Sequence, residues 1–117
     1  MSSSRPIVSV VTPFYNSDQW LAECIESVLA QTYRPLEIVV VDDASTDRTV
    51  EIVRGYGDRV RLITRTENSG MCPITRNQAA RAATGRYLAF LDSDDSWYAQ
   101  KIEKQVAFLE AHQEVPL

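Results

Sequence analysis

The chain has 117 residues, of which 44% are apolar and 24% charged, and it carries a net charge of −4. That length supports one hydrophobic core and not two, and the composition is ordinary for a soluble globular domain. The acidic balance argues against a nucleic-acid binder, which needs a surplus of positive charge to displace counterions.

Residues 7–12, "IVSVVT", are β-branched and nearly all apolar, which predicts a strand buried on both faces. A turn is expected at "PFYNS", with Asn16 or Ser17 capping the helix that follows. Leu21, Cys24, Ile25, Val28 and Leu29 then recur at helical spacing, so residues 18–31 read as an amphipathic helix. "EIVVV" is a second buried strand that ends at Asp42, and "DDASTD" leads into a shorter helix over 47–54, with Gly55 and Gly57 at its end. "RVRLITR" is a third strand, less apolar and so nearer an edge. An Ala-rich helix over 74–83 is stopped by Gly85, "RYLAFL" is the fourth strand, and Ile102, Val106 and Leu109 mark a last helix.

Strand and helix alternate throughout. That order predicts an α/β fold, a Rossmann-like three-layer α/β/α sandwich with a mostly parallel sheet and right-handed crossovers. Ligands of such sheets bind beyond the carboxyl ends of the strands, where strand order reverses. With the order 3-2-1-4, that rim collects "TPFYN" from the first strand, "DDAS" from the second and "DSDD" from the fourth. Five of the sixteen acidic residues, Asp42, Asp43, Asp92, Asp94 and Asp95, gather there. Carboxylates that close repel unless a cation lies among them. Oxygen ligands with no Cys or His pair nearby point to Mg²⁺ or Mn²⁺ rather than zinc. Taken singly, Asp43, Ser45, Asp95 and Ser96 also suit turn and cap positions.

Ten of the twelve basic residues are Arg, the side chain suited to forked contacts with phosphate or carboxylate. Neither GxxxxGK nor a GxGxxG after the first strand is present, which argues against a P-loop or dinucleotide-binding enzyme. Cys24 and Cys72 have no metal-type spacing, and a buried free Cys24 fits a reducing cytoplasm. The start "MSSSRPIVSV" does not read as a signal peptide, and no apolar run is long enough to span a membrane.

The segments "VSVVTPFYN", "SVLAQTYRPLEIVVVDDASTDRT", "ENSG" and "TRNQAARAATGRYLAFLDSDD", in this order and spacing, resemble the donor half of a family 2 glycosyltransferase with the GT-A fold. The resemblance implies that residues 1–117 form a single donor-binding half-domain, a truncated GT-A unit without the acceptor half. Pro13 and Tyr15 would line the nucleobase pocket, and Asp43 would accept a hydrogen bond from the base. Asp42 would orient the loop, while Asn68 and Gly70 would shape the loop after the third strand. Arg76 would reach the nucleotide or its diphosphate, and a salt bridge to the acid cluster is its competing reading. Asp92 and Asp94 form a DxD, with Asp94 on the metal, Asp92 at the ribose or supporting the metal, and Asp95 a cap or close to the sugar.

What the resemblance implies chemically is a nucleoside diphosphate sugar as partner, with UDP favoured, held through Mn²⁺ or Mg²⁺. An acceptor hydroxyl would displace the nucleoside diphosphate with inversion. The catalytic base is expected beyond residue 117, so this chain alone is expected to bind the donor and not transfer the sugar. Cys72, Pro73, Thr75 and Ala99 depart from the family's pattern. An open edge at the fourth strand predicts a homo-oligomer. Two rivals share the alternation and the paired acids, a receiver-like Mg²⁺-binding signalling module and an aspartate phosphotransferase. Both want their acids after the first strand.

Overall fold

The computed structural model describes residues 5–68, 72–91 and 96–111. Within them the order is β1 (Val8–Phe14), α1 (Leu21–Leu29), β2 (Leu36–Asp42), α2 (Thr49–Arg54), a 3₁₀ turn (Gly57–Arg59), β3 (Arg61–Thr64), α3 (Cys72–Ala82), β4 (Tyr87–Phe90) and α4 (Lys101–Ala111). The four strands form one sheet in the order β3-β2-β1-β4, every neighbouring pair parallel. The expected α/β sandwich and its strand order are therefore present. The two central strands are also the two that read as continuous apolar runs.

Alternation along β1 and β2 sends side chains to opposite faces. Val8, Val10, Phe14, Ile38 and Val40 meet Leu21, Cys24, Ile25 and Val28 of α1, Val53 of α2, and Ile102 and Val106 of α4. On the other face, Val11, Val39 and Val41 meet Ala79 of α3, with Ile63, Ala82 and Ala83 at the margin. Fully burying one such aliphatic side chain is worth roughly 1.5–3 kcal/mol. The second core is small because α3 offers alanines, and so it brings the helix close to the sheet.

β1 runs two residues past the expected end, through Pro13 and Phe14, which pair with Val41 and Asp42. The carbonyl of Phe14 accepts from the amide of Asp43 on the β2 side, while that of Val11 accepts from Leu91 on the β4 side. Alternation thus turns the nitrogen of Pro13 toward β4, beyond the last rung of that ladder at Val11 and Phe90. A residue with no N–H is tolerated there because no ladder bond is lost.

Gly85 marks a close approach of two segments. A Cβ there would lie 2.5 Å from Oγ of Ser9 and 2.7 Å from the carbonyl oxygen of Ile7, so only glycine lets this turn lie on β1.

Candidate functional site

The carboxyl ends of β1 and β2 lie side by side and present Pro13, Tyr15, Asp42 and Asp43 at one rim. Pro13 is half-buried, the Tyr15 ring is 50% exposed, and both aspartates are buried. The two aspartates differ in what holds them. Asp42 is turned into its own loop: Ser45 donates its amide to Oδ2 at 3.0 Å and its hydroxyl to Oδ1 at 2.5 Å. That clasp closes a turn in which Ala44 adopts φ +63°, a conformation that costs a residue with a Cβ about 1–2 kcal/mol. Such strain is held only where surrounding bonds over-determine the backbone.

Contacts with described residues reach Asp43 from three sides. Its amide donates to the Phe14 carbonyl at 2.8 Å, and its carbonyl accepts from Nδ2 of Asn68 at 3.0 Å. Its Oδ1 lies 3.1 Å from Nε of Arg65, an ion pair rather than an aligned hydrogen bond. NH1 of Arg65 donates to Oε1 of Gln78 on α3 at 2.7 Å. Neither Arg65 nor Gln78 stood out in the sequence. The signal available was position, since Arg65 directly follows β3 and its backbone amide bonds the carbonyl of Asp42.

The loops after β1 and β2 are laced to each other. Asn16, at φ +48°, donates its amide to the Ser45 hydroxyl at 2.9 Å and accepts the Thr46 amide on Oδ1 at 2.8 Å. The Ser17 amide donates to Oγ1 of Thr49 at 2.8 Å, and the Asp18 amide to Oδ2 of Asp47 at 3.2 Å. Burial works to raise the Asp47 carboxyl, but hydrogen bonds from the Thr49 hydroxyl and amide and from the Asp18 amide outweigh it and hold the pKa below the usual carboxylate range. The expected helix cap by Asn16 or Ser17 is not made. α1 starts only at Leu21 after a turn closed on the Ser17 carbonyl, because both side chains are already spent, Asn16 on the second loop and the Ser17 hydroxyl on the Tyr15 carbonyl. The lacing fixes the backbone after Tyr15, and the β1–β2 ladder fixes it before, at Phe14.

Buried Gln31, just past α1, fixes the chain that follows the acidic segment. Its Nε2 donates to the Tyr98 carbonyl at 2.7 Å, and its Oε1 accepts the Ile102 amide at 3.0 Å, one of the first-turn donors of α4 that need an outside partner. Thr32 adds a bond from its amide to the Ala99 carbonyl at 2.8 Å.

Among the predicted site residues, Pro13, Tyr15 and Asp43 are brought together. Arg76 belongs to α3, but its side chain lies outside the described residues, as do Gly70, Asp92, Asp94 and Asp95. β4 runs parallel to β1, and its last rung pairs Phe90 with Val11. Among the described residues, no group of three or more His, Cys, Asp or Glu is placed to hold a metal.

Comparison with known proteins decides between the readings. The profile of Glycosyl transferase family 2 matches residues 9–115. The chain belongs to this family. It is 43% identical over 112 residues to the putative teichuronic acid biosynthesis glycosyltransferase TuaG of Bacillus subtilis, a match covering 93% of this chain and 44% of that protein. The S. aureus TarS 1-349 crystal structure in complex with UDP superposes with a TM-score of 0.86 at 34% identity, covering 91% of this chain and 32% of that one. The mannosyltransferase PcManGT from Pyrobaculum calidifontis, solved with GDP-Man and Mn²⁺, gives 0.83 at 33% identity, covering 92% and 33%. The sheet and its flanking helices are therefore those of GT-A family members, and the receiver-like and phosphotransferase readings fall. The chain spans less than half the length of these relatives. No helix among the described residues is long and apolar enough to cross a membrane.

Proposed function

We propose that this chain is the donor-binding part of a family 2 glycosyltransferase and takes a nucleoside diphosphate sugar, with UDP favoured. The observation that carries the reading is the rim itself. Pro13 and the exposed Tyr15 stand beside the buried, pinned carboxylate of Asp43, in a chain that superposes on TarS solved with UDP. A planar base stacks on an aromatic face, and an ionised carboxylate is acceptor-only, so it suits a base that offers a ring N–H. Uracil and guanine, the bases of the nucleotides in the TarS and PcManGT crystals, both carry one.

In this reading Asp94 holds Mn²⁺ or Mg²⁺, Asp92 supports the metal or the ribose, and Arg76 reaches the diphosphate. The hard-oxygen donor set fits either ion. A divalent cation there neutralises charge on the departing nucleoside diphosphate. Transfer to an acceptor hydroxyl with inversion is the activity proposed for the whole protein. Support for the metal comes from the Mn²⁺ in the PcManGT complex. The test is Asp94→Ala, which is expected to abolish the gain in UDP affinity that Mn²⁺ gives the unaltered chain. Retention of that gain overturns the assignment of the metal to Asp94.

Self-association through the β4 edge is part of the same proposal. β4 has a neighbour on one side only among the described strands, and Leu88, Phe90 and the α4 residue Phe108 are 43%, 49% and 55% exposed. A groove of about 420 Å³ lined by Leu88, Lys104, Gln105, Phe108 and Leu109 runs beside it. An unpaired strand edge flanked by apolar side chains suits a second copy of the chain.

A further inference from the structure

We propose that the amino-terminal end of the sheet, opposite the ligand rim, docks on an anionic membrane surface. An arginine stands at the entrance of every strand: Arg5 ahead of β1, Arg34 ahead of β2, Arg61 at the first position of β3 and Arg86 directly before β4. Arg59 in the 3₁₀ turn, Arg54 in the last turn of α2 and Arg81 in the last turn of α3 reach the same end. Seven of the ten arginines therefore share one end, and all seven are exposed. Among the described residues, Arg61 with Glu37 at 3.8 Å is the one ion pair that any of them makes. Helix ends account for part of the pattern, since cations are favoured there. Arg34 bonds the carbonyls of Leu29, Gln31 and Tyr33 at the end of α1, and Arg61 bonds that of Ala82 at the end of α3. Arg5 and Arg86 serve no helix end. Arg5 lies 4.0 Å from the centre of the Tyr33 ring and Arg86 5.7 Å from that of Tyr87, as Arg59 lies 5.2 Å from that of Tyr56. A guanidinium over a ring keeps in-plane donors for a phosphate.

The carboxylates at this end do not balance seven arginines. Glu26 accepts from the Tyr56 hydroxyl, Glu37 accepts from Ser9 and Thr84, and exposed Asp58 flanks Arg59. α4, bonded to Gln31 at its start and to Tyr87 near its end, brings Lys101 and Lys104 against Glu103 and Glu110 and so adds no net charge. The geometry favours a plane as the partner. β1 and β2 run seven residues each, which at about 3.3 Å per residue is roughly 20 Å, whereas charges are screened beyond about 8 Å at physiological salt. A plane touching the amino-terminal end attracts the arginines while Asp42, Asp43 and Asp47 at the rim lie beyond its reach. A long polyanion gains less, because the chain as a whole carries a charge of −4. Ile7, 41% exposed, and exposed Pro35 stand among the arginines and offer apolar atoms to a headgroup layer.

The experiment is cosedimentation of the chain with phosphatidylcholine vesicles, with and without about one-third phosphatidylglycerol. At physiological salt the chain is expected to pellet with the anionic vesicles and not with the neutral ones. It is expected to be released at about 1 M salt, where screening sets in at about 3 Å. Arg81→Gln and Arg86→Gln, both at exposed positions, are each expected to weaken partition about fivefold. Arg48→Gln makes the same change of charge at the rim end of α2 and is expected to leave partition unchanged, which separates position from net charge. Absence from the anionic pellet, equal partition onto neutral vesicles, or partition of Arg81→Gln and Arg86→Gln no weaker than that of Arg48→Gln overturns the proposal. Tighter binding of a short RNA duplex at the same salt also overturns it, by assigning the arginines to nucleic acid.

Discussion

Glu37, the second residue of β2, shows how one carboxylate ties together the end of the sheet opposite the ligand rim. Its Oε1 accepts from the Ser9 hydroxyl at 2.6 Å and the Thr84 amide at 2.8 Å, its Oε2 accepts from the Thr84 hydroxyl at 3.2 Å, and Arg61 lies 3.8 Å away. Burial works to raise its pKa, but the bonds from Ser9 and Thr84 and the charge of Arg61 outweigh it and hold it below the ordinary value of 4.5. A folded-state pKa below the unfolded one contributes stability that is present above about pH 4.5 and lost as pH falls through the folded value. Glu37→Gln is therefore expected to cost about 1–2 kcal/mol at pH 7, in the range for charge-assisted hydrogen bonds. Urea unfolding at several pH values should also show a shallower fall in stability below pH 4.5 for the variant than for the unaltered chain. Parallel pH profiles would contradict the role given to this carboxylate. In the sequence Glu37 reads only as the first residue of "EIVVV", because its partners lie 28 and 47 residues away. Asp43 stood out in the sequence as one of an acid pair at the end of a buried strand, a place where such residues also serve turns, as Asp42 does here through Ser45.

At the scale of elements, apolar runs and periodicity, with Ala content and glycine stops, placed the described strands and α-helices, and the departures come from polar side chains with distant partners. β1 lengthens through Pro13 because β2 still pairs with it there while β4 has already ended. α1 shortens because the Asn16 side chain serves the neighbouring loop and the Ser17 hydroxyl the Tyr15 carbonyl rather than the helix. The start of α4 depends on Gln31, 71 residues earlier, whose amide caps Ile102 and holds Tyr98. Nothing in "LAQTYRP" announces that partnership, since a Gln at the end of a helix is usually a solvated residue. Gln31→Leu keeps the volume but leaves the Ile102 amide and Tyr98 carbonyl without this partner, which is expected to cost about 1–3 kcal/mol. A lower urea midpoint with an unchanged slope is the expected readout, and an unchanged midpoint would show that α4 is held by packing alone.

At the scale of the whole molecule, the alternation of strands and helices foretold the parallel sheet, and the expected order 3-2-1-4 with the carboxyl-end rule foretold the rim where Pro13, Tyr15 and Asp43 meet. Less legible was the unequal covering of the sheet among the described residues, with α1, α2 and α4 packed on one face and α3 on the other. That asymmetry depends on loop directions, which periodicity does not encode. It leaves Leu88 and Phe90 of β4 substantially exposed. Light scattering is expected to give a mass above 13.2 kDa that rises with concentration, and Phe90→Lys to return it to the monomer value. A constant monomer mass would contradict association through this edge.

On the proposed reading, this rim binds a nucleoside diphosphate with the help of a divalent cation. Calorimetric titration of the chain with UDP, with and without Mn²⁺, tests it most directly. Binding is expected that Mn²⁺ strengthens by at least about tenfold, or about 1.4 kcal/mol. Absence of UDP binding, or binding of equal strength with and without the metal, would contradict it.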